Sequence, residues 1–235
     1  MNWQAAEIAP RERIIVALDL PTSEVALALV RELSPHPGLF KIGLQLYTAA
    51  GPDIVRAVHD LGGRIFLDLK LHDIPNTVGR SVESADSLGV EMLTIHLSGG
   101  RAMIEAAVRA ALPEMLLLGV TVLTSVDEAT LRETGIDSPM EEQVLRLAQL
   151  GAESGIGGVV ASPIELAPLR RAHGSKLKIV TPGIRPQGAA ADDQKRALTP
   201  AEALKAGADF LVIGRPITAA PDPRAALAQI VADAV

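Results

Sequence analysis

Arg64-Ile65-Phe66-Leu67-Asp68-Leu69-Lys70-Leu71-His72-Asp73-Ile74-Pro75-Asn76-Thr77 is the stretch on which the fold and its use both turn. It opens as an apolar strand fit for a buried parallel sheet. It then places an acid, a base and another acid within six positions. Charges at the end of such a strand cost free energy unless they are paired. Asp68 and Lys70 are two apart, so an extended strand points them to the same side. Asp73 falls beyond the strand, where the chain must turn before Pro75. The plain reading is an ion pair at a strand end. The sharper reading is a carboxylate and an ammonium held side by side in a partly dry site, able to stabilise charge and deliver a proton.

The rest of the chain repeats this layout. Eight short apolar runs are each followed by a helical pattern: Ile14–Leu18, Leu39–Ile42, Ile65–Leu69, Met92–Ile95, Leu116–Leu123, Gly158–Ala161, Lys178–Val180 and Phe210–Ile213. Between them, apolar residues recur near 3.6, as in Val25-Ala26-Leu29-Val30-Leu33 behind Thr22 or Ser23 as a cap. Further stripes are Ile54-Val55-Val58-Leu61, Met103-Ile104-Ala107-Val108-Leu112, Val144-Leu145-Ala148 and Leu227-Ile230-Val231. Gly62-Gly63, Gly89 and Gly207 stand where helix C-caps belong. Alternating strands and helices imply parallel strands with right-handed crossovers. Eight such units predict an α/β protein, a (β/α)8 TIM barrel, as a single domain over 1–235 with 1–13 as a short leader. An open doubly wound sheet is the competitor. It would want Gly-x-Gly-x-x-Gly after strand one, where the chain has Asp19-Leu20-Pro21-Thr22-Ser23.

Bulk properties narrow the partners. Of 235 residues, 48% are apolar, ample for a sizeable core, and the formal net charge of −6 comes with no basic stripe. Nucleic acid and anionic membranes are therefore not expected partners. The chain has no cysteine. That excludes disulfides, thiolate catalysis and thiolate-bound metals, and makes a cytoplasmic home the simplest reading. No apolar stretch reaches the roughly 18 residues of a membrane span. Met1 to Arg13 lacks the apolar core of a signal peptide.

In a (β/α)8 barrel the C-terminal ends of the strands build the active site. Read at those ends, the sequence offers Asp19 (strand one), Lys41 (two), Asp68 and Lys70 (three), His96 (four), Thr124 and Ser125 (five) and Ser162 (six). Strand seven runs into Pro182-Gly183, and strand eight into Gly214-Arg215. Two lysines and two aspartates would share one mouth. Singly, each has a plain explanation: His96 as a packed strand-end residue, Asp19 as a helix cap. The loops after strands seven and eight often bind phosphate. Gly214 would let it approach the backbone and Arg215 would contact it in bidentate fashion. The long strand-seven loop, Gly183 to Leu198, carries Arg185, Gln187, Gln194, Lys195 and Arg196, and its length suits a lid.

On these residues the chain resembles the orotidine 5′-phosphate decarboxylase family, in its bacterial type. The likeness runs from Ile15-Val16-Ala17-Leu18-Asp19 to the last helix. Its most specific part is Asp68-Leu69-Lys70-Leu71-His72-Asp73-Ile74-Pro75-Asn76-Thr77. Phe40-Lys41-Ile42-Gly43, Val122-Leu123-Thr124-Ser125, Thr181-Pro182-Gly183-Ile184-Arg185 and Ile213-Gly214-Arg215-Pro216-Ile217 support it. The resemblance implies a homodimeric barrel that turns orotidine 5′-monophosphate into uridine 5′-monophosphate without metal or organic cofactor. It implies that Asp19 and Lys41 bind the ribose, with Lys41 tied into the charge network. Asp68 would face the substrate carboxylate and Lys70 would donate the proton. Asp73, with Thr77 beside it, would reach into the partner's site. Thr124 or Ser125 would meet the pyrimidine, Gln194 would bridge base and phosphate, and Arg185, Gly214 and Arg215 would hold the phosphate. Within the same superfamily, Mg²⁺-dependent sugar-phosphate decarboxylases and aldolases, such as 3-keto-L-gulonate-6-phosphate decarboxylase and hexulose-6-phosphate synthase, share Asp-x-Lys-x-x-Asp. Ile74-Pro75-Asn76-Thr77 favours the pyrimidine enzyme. A phosphate-ligand sensor on a barrel scaffold, the non-catalytic rival, would not need two acids and two lysines around one point.

Overall fold

A computed structural model describes residues 8–33, 37–186 and 198–234. Its elements run β1 (Ile14–Ala17), α1 (Ser23–Leu33), β2 (Leu39–Gly43), α2 (Leu44–Ala50), α3 (Asp53–Asp60), β3 (Ile65–Leu71), α4 (Pro75–Asp86), β4 (Met92–His96), α5 (Arg101–Ala110), β5 (Leu116–Val120), α6 (Glu128–Glu133), α7 (Met140–Glu153), β6 (Gly158–Val160), α8 (Leu166–His173), β7 (Lys178–Thr181), α9 (Pro200–Ala206), β8 (Phe210–Ile213), α10 (Arg215–Thr218) and α11 (Pro223–Asp233). The strands close in chain order into a barrel, β8 pairing with β1, and every pairing is parallel. This is the predicted (β/α)8 barrel.

Alternation along each strand divides the core in two. Ile15, Ala17, Leu39, Phe66, Met92, Leu116, Leu118, Val180, Phe210 and Val212 pack together inside the barrel. Their neighbours, among them Ile14, Val16, Phe40, Ile42, Leu67, Leu93 and Ile213, pack outward against the helices. The helices supply matching stripes, for example Ala26, Leu29, Val30 and Leu33 on α1 and Ile54, Val55 and Val58 on α3. Thr22 Oγ1 accepts the Val25 N–H at the start of α1 (3.5 Å). Gly62, Gly89 and Gly207 take positive φ (81°, 75° and 111°) at helix ends, as the sequence predicts. Below the strands, Pro10–Arg13 forms a 3-10 turn, Arg13 donates to the Ile8 carbonyl, and Ile8 packs on the inner cluster. No described helix is long and apolar enough to cross a membrane.

Two strands differ from expectation by more than one residue at their mouth ends. β5 stops at Val120 rather than Leu123, because its neighbours stop there: Val120 pairs His96 on one side and Val160 on the other, each the last residue of its strand. β3 runs on to Leu71 instead of ending at Leu69. Its register against β4 jumps from Leu67↔Leu93 to Leu71↔Ile95, so Asp68, Leu69 and Lys70 all stand opposite Thr94. Two extra residues are thus let into the strand at the motif, a wide local bulge.

Candidate active site

β1, β2 and β3 each deliver a charged side chain to the barrel mouth, because the inward register that buries Ala17, Leu39 and Phe66 lower down arrives at a polar residue higher up. Lys41 Nζ lies 2.8 Å from Asp19 Oδ1 and 3.6 Å from Asp68 Oδ2, and Lys70 Nζ lies 2.8 Å from Asp68 Oδ1. The four groups form one alternating row, Asp19–Lys41–Asp68–Lys70. The two inner members are the most enclosed: the Lys41 and Asp68 side chains are 10% and 13% exposed, against 58% for Asp19. Enclosed charges persist only when paired and hydrogen-bonded, and here each has an opposite neighbour. The row is neutral overall, so charge brought by a ligand falls on a balanced array.

Asp68 and Lys70 do face one another, yet simple strand alternation is not the reason. Lys70 has φ +52°, the positive-φ residue other than glycine among the described residues. Such a backbone costs about 1–2 kcal/mol for a side-chain-bearing residue. It is held by Thr94, whose Oγ1 accepts the Lys70 N–H at 2.8 Å and donates to Asp68 Oδ1 at 3.0 Å. Thr94 is wholly buried. Sequence reading passed over it; its only signal is a hydroxyl residue at an inward position of an otherwise apolar strand.

Asp19, Lys41, Asp68 and Lys70 border a cavity of about 480 Å³ whose wall includes Phe66, Val120, Val122, Val160 and Val212 on the apolar side. Thr124, Arg185, Gly214 and Arg215 complete its rim, the last two where β8 runs alongside β1. Ser125 does not border it. It lines a neighbouring groove with Val126, Asp127 and Ser162, so of the two expected hydroxyls only Thr124 faces the cavity. The chain leaves the cavity after Thr124, which borders both spaces. Arg185 donates from its backbone to Leu198, and Ile184 bridges Leu198, so the two ends of the strand-seven loop are tied together. Gln187, Gln194, Lys195 and Arg196 lie outside the described residues.

Asp73 and Thr77 stand apart from the cavity. Residues 72–77 are all exposed, Ile74 at 65%. Asp73 Oδ1 accepts the Ile74 N–H, and Pro75 starts α4. His96 ends β4 with its ring centroid 5.5 Å from that of His72. Burial, then His72 and Lys70, hold the His96 imidazole below its usual 6.5, against the opposing pull of Asp68. It ends the strand half-buried, beside His72.

A sequence model of the orotidine 5′-phosphate decarboxylase / HUMPS family matches residues 12–230. The chain belongs to that family. It is 54% identical over 223 residues to a protein of Opitutus terrae named orotidine 5′-phosphate decarboxylase, covering 94% of this chain and 97% of that one. It is 52% identical over 232 residues to one of the same name from Moorella thermoacetica, covering 95% and 92%. Among solved structures it is similar to the orotidine 5′-phosphate decarboxylase of Lactobacillus acidophilus, with a TM-score of 0.84, 39% identity and coverage of 94% and 98%. The matched range spans every strand and every described residue that lines the cavity.

Proposed function

We propose that this chain decarboxylates orotidine 5′-monophosphate to uridine 5′-monophosphate without metal or organic cofactor, with Lys70 as proton donor. The observation that carries this reading is the Asp19–Lys41–Asp68–Lys70 row beside an apolar wall, in a chain about half identical to proteins named for that activity. When the C6–carboxylate bond breaks, its electron pair stays on C6 and carbon dioxide leaves. No ring carbonyl or imine is placed to absorb that pair easily. A fixed cation beside C6 gains attraction as the charge develops, which is the kind of binding that lowers a barrier. The apolar wall of Phe66, Val120 and Val160 strengthens that attraction by excluding water. Lys70 then transfers a proton to C6, and solvent reaches its partly exposed amine to restore it. Asp68, facing the departing carboxylate, disfavours the bound ground state. Arg185, Gly214 and Arg215 hold the phosphate across the mouth, and the energy of that remote contact positions the reacting end. Asp19 and Lys41 take the ribose hydroxyls, Thr124 the base, and Gln194 both base and phosphate.

The exposed segment 72–77, with Ile74 standing clear of the chain's own core, supports a homodimer in which Asp73 and Thr77 complete the partner's site. The cysteine-free composition supports a cytoplasmic setting. The test is direct. Purified chain mixed with orotidine 5′-monophosphate should show the ultraviolet change of conversion to uridine 5′-monophosphate, unaffected by a chelator. Lys70→Ala should lower that rate by about 10⁴-fold or more while leaving the circular dichroism spectrum unchanged. No conversion by the wild-type chain rejects the reading, and loss of activity on chelation moves it to the Mg²⁺-dependent sugar-phosphate enzymes of the superfamily.

A further inference from the structure

Thr94 is the single residue of β4 opposite the three residues Asp68, Leu69 and Lys70, and it makes a hydrogen bond to the first and the last of them. A hydroxyl has one proton. Thr94 donates its proton to Asp68 Oδ1, and so presents only lone pairs to the Lys70 N–H. Asp68 Oδ1 also receives Lys70 Nζ at 2.8 Å. The contacts close a ring: Lys70 backbone to Thr94, Thr94 to Asp68, Asp68 to the Lys70 ammonium. One buried oxygen thereby fixes both the left-handed backbone that carries Lys70 and the carboxylate that its amine is set against. Thr94 does not line the cavity.

We propose that Thr94 is a positioning residue for the reaction, setting the angle at which Lys70 is presented without itself meeting substrate. This rests on the decarboxylase reading, with Lys70 as donor. Phosphate and ribose contacts lie on other strands, so the effect should fall on turnover rather than on binding. The variant that isolates it is Thr94→Val, which keeps the shape and removes the hydroxyl. It leaves the Lys70 N–H buried without its acceptor and allows a misplacement at the reacting end.

The experiment compares wild type, Thr94→Val and Thr94→Ser in steady-state decarboxylation of orotidine 5′-monophosphate, with melting temperature recorded for each. Thr94→Val should lose roughly 10- to 100-fold in kcat while KM moves less than about 3-fold. Thr94→Ser, which keeps the hydroxyl and drops the methyl, should stay within about 3-fold of wild type in kcat. If Thr94→Val does not fold, Thr94→Ala against Thr94→Ser makes the same comparison, since that pair differs only in the hydroxyl. Wild-type kcat in Thr94→Val, or equal losses in the Ser variant and the hydroxyl-free one, overturns the role of Thr94 alone. A wild-type chain inactive on this substrate overturns the underlying reading as well.

Discussion

At Gly43, the last residue of β2, a Cβ would stand 3.0 Å from Lys41 Nζ and 3.2 Å from Asp19 Oδ1. Both atoms end flexible side chains, so the fold could absorb a methyl group by letting them swing away. The ion pair could not survive that unchanged. Gly43→Ala should therefore lower kcat/KM by about 10-fold while the melting temperature moves by only about 2 °C or less, measured by calorimetry beside the activity assay. The need for Gly43 is a matter of distance, and distances are invisible in a sequence. Lys41 itself was legible, because a lysine inside an apolar strand needs a partner and the strand ends offered acids. Lys70 was legible as a member of the row, but its backbone was not: period-two alternation predicted the right neighbour for the wrong reason. Thr94 carried too weak a signal, since a lone threonine in a strand has good β-propensity with or without a task.

Among the elements, the floor of the barrel is held by a different logic from its mouth. Asp209, just before β8, binds the Arg170 guanidinium of α8, Lys178 Nζ (3.2 Å) and the Ile179 N–H (2.8 Å) of β7. It fastens two strands and a helix at the end remote from the cavity. Asp209→Ala would strip Lys178 and the Ile179 N–H of this acceptor and leave Arg170 only its bonds to the Gly174, Leu177 and Gly207 carbonyls, at a cost of about 2–3 kcal/mol. Denaturant unfolding should show that loss, with kcat unchanged. Strand starts were legible throughout because apolar runs rich in branched residues have few other uses. Strand ends were less so. The overlong reading of β5 arose because Thr121-Val122-Leu123 still looks like strand, whereas a strand ends where its neighbours do. The short α6 and α10 carried no apolar stripe long enough to announce them.

Taken as a whole molecule, the chain assembles the charged row but leaves Asp73 and Thr77 exposed and outside the cavity that the row borders. If two chains share sites, mixing inactive Lys70→Ala and Asp73→Ala chains should restore up to about a quarter of native sites under random exchange; verified heterodimers without activity would exclude shared sites. Acid stability gives a second molecular-scale expectation. His96 and His173 are both held below their usual 6.5, in each case chiefly by burial, with Lys176 adding to it at His173. The folded state thus resists protonation, and the unfolded chain takes up protons first as pH falls through about 6.5. Stability should accordingly decline below that pH, over the range between the unfolded value and the lowered folded ones. The His96→Asn/His173→Asn double variant should show a flatter curve of melting temperature from pH 7.5 to about 5.

The register jump of β3 is confined between Leu67 and Leu71, and β4 is regular again at Ile95. Excising two residues from that interval would therefore yield a chain that still closes its cylinder but has forgotten its trade. Container and reagent are separable here, divided by a detour two amino acids long.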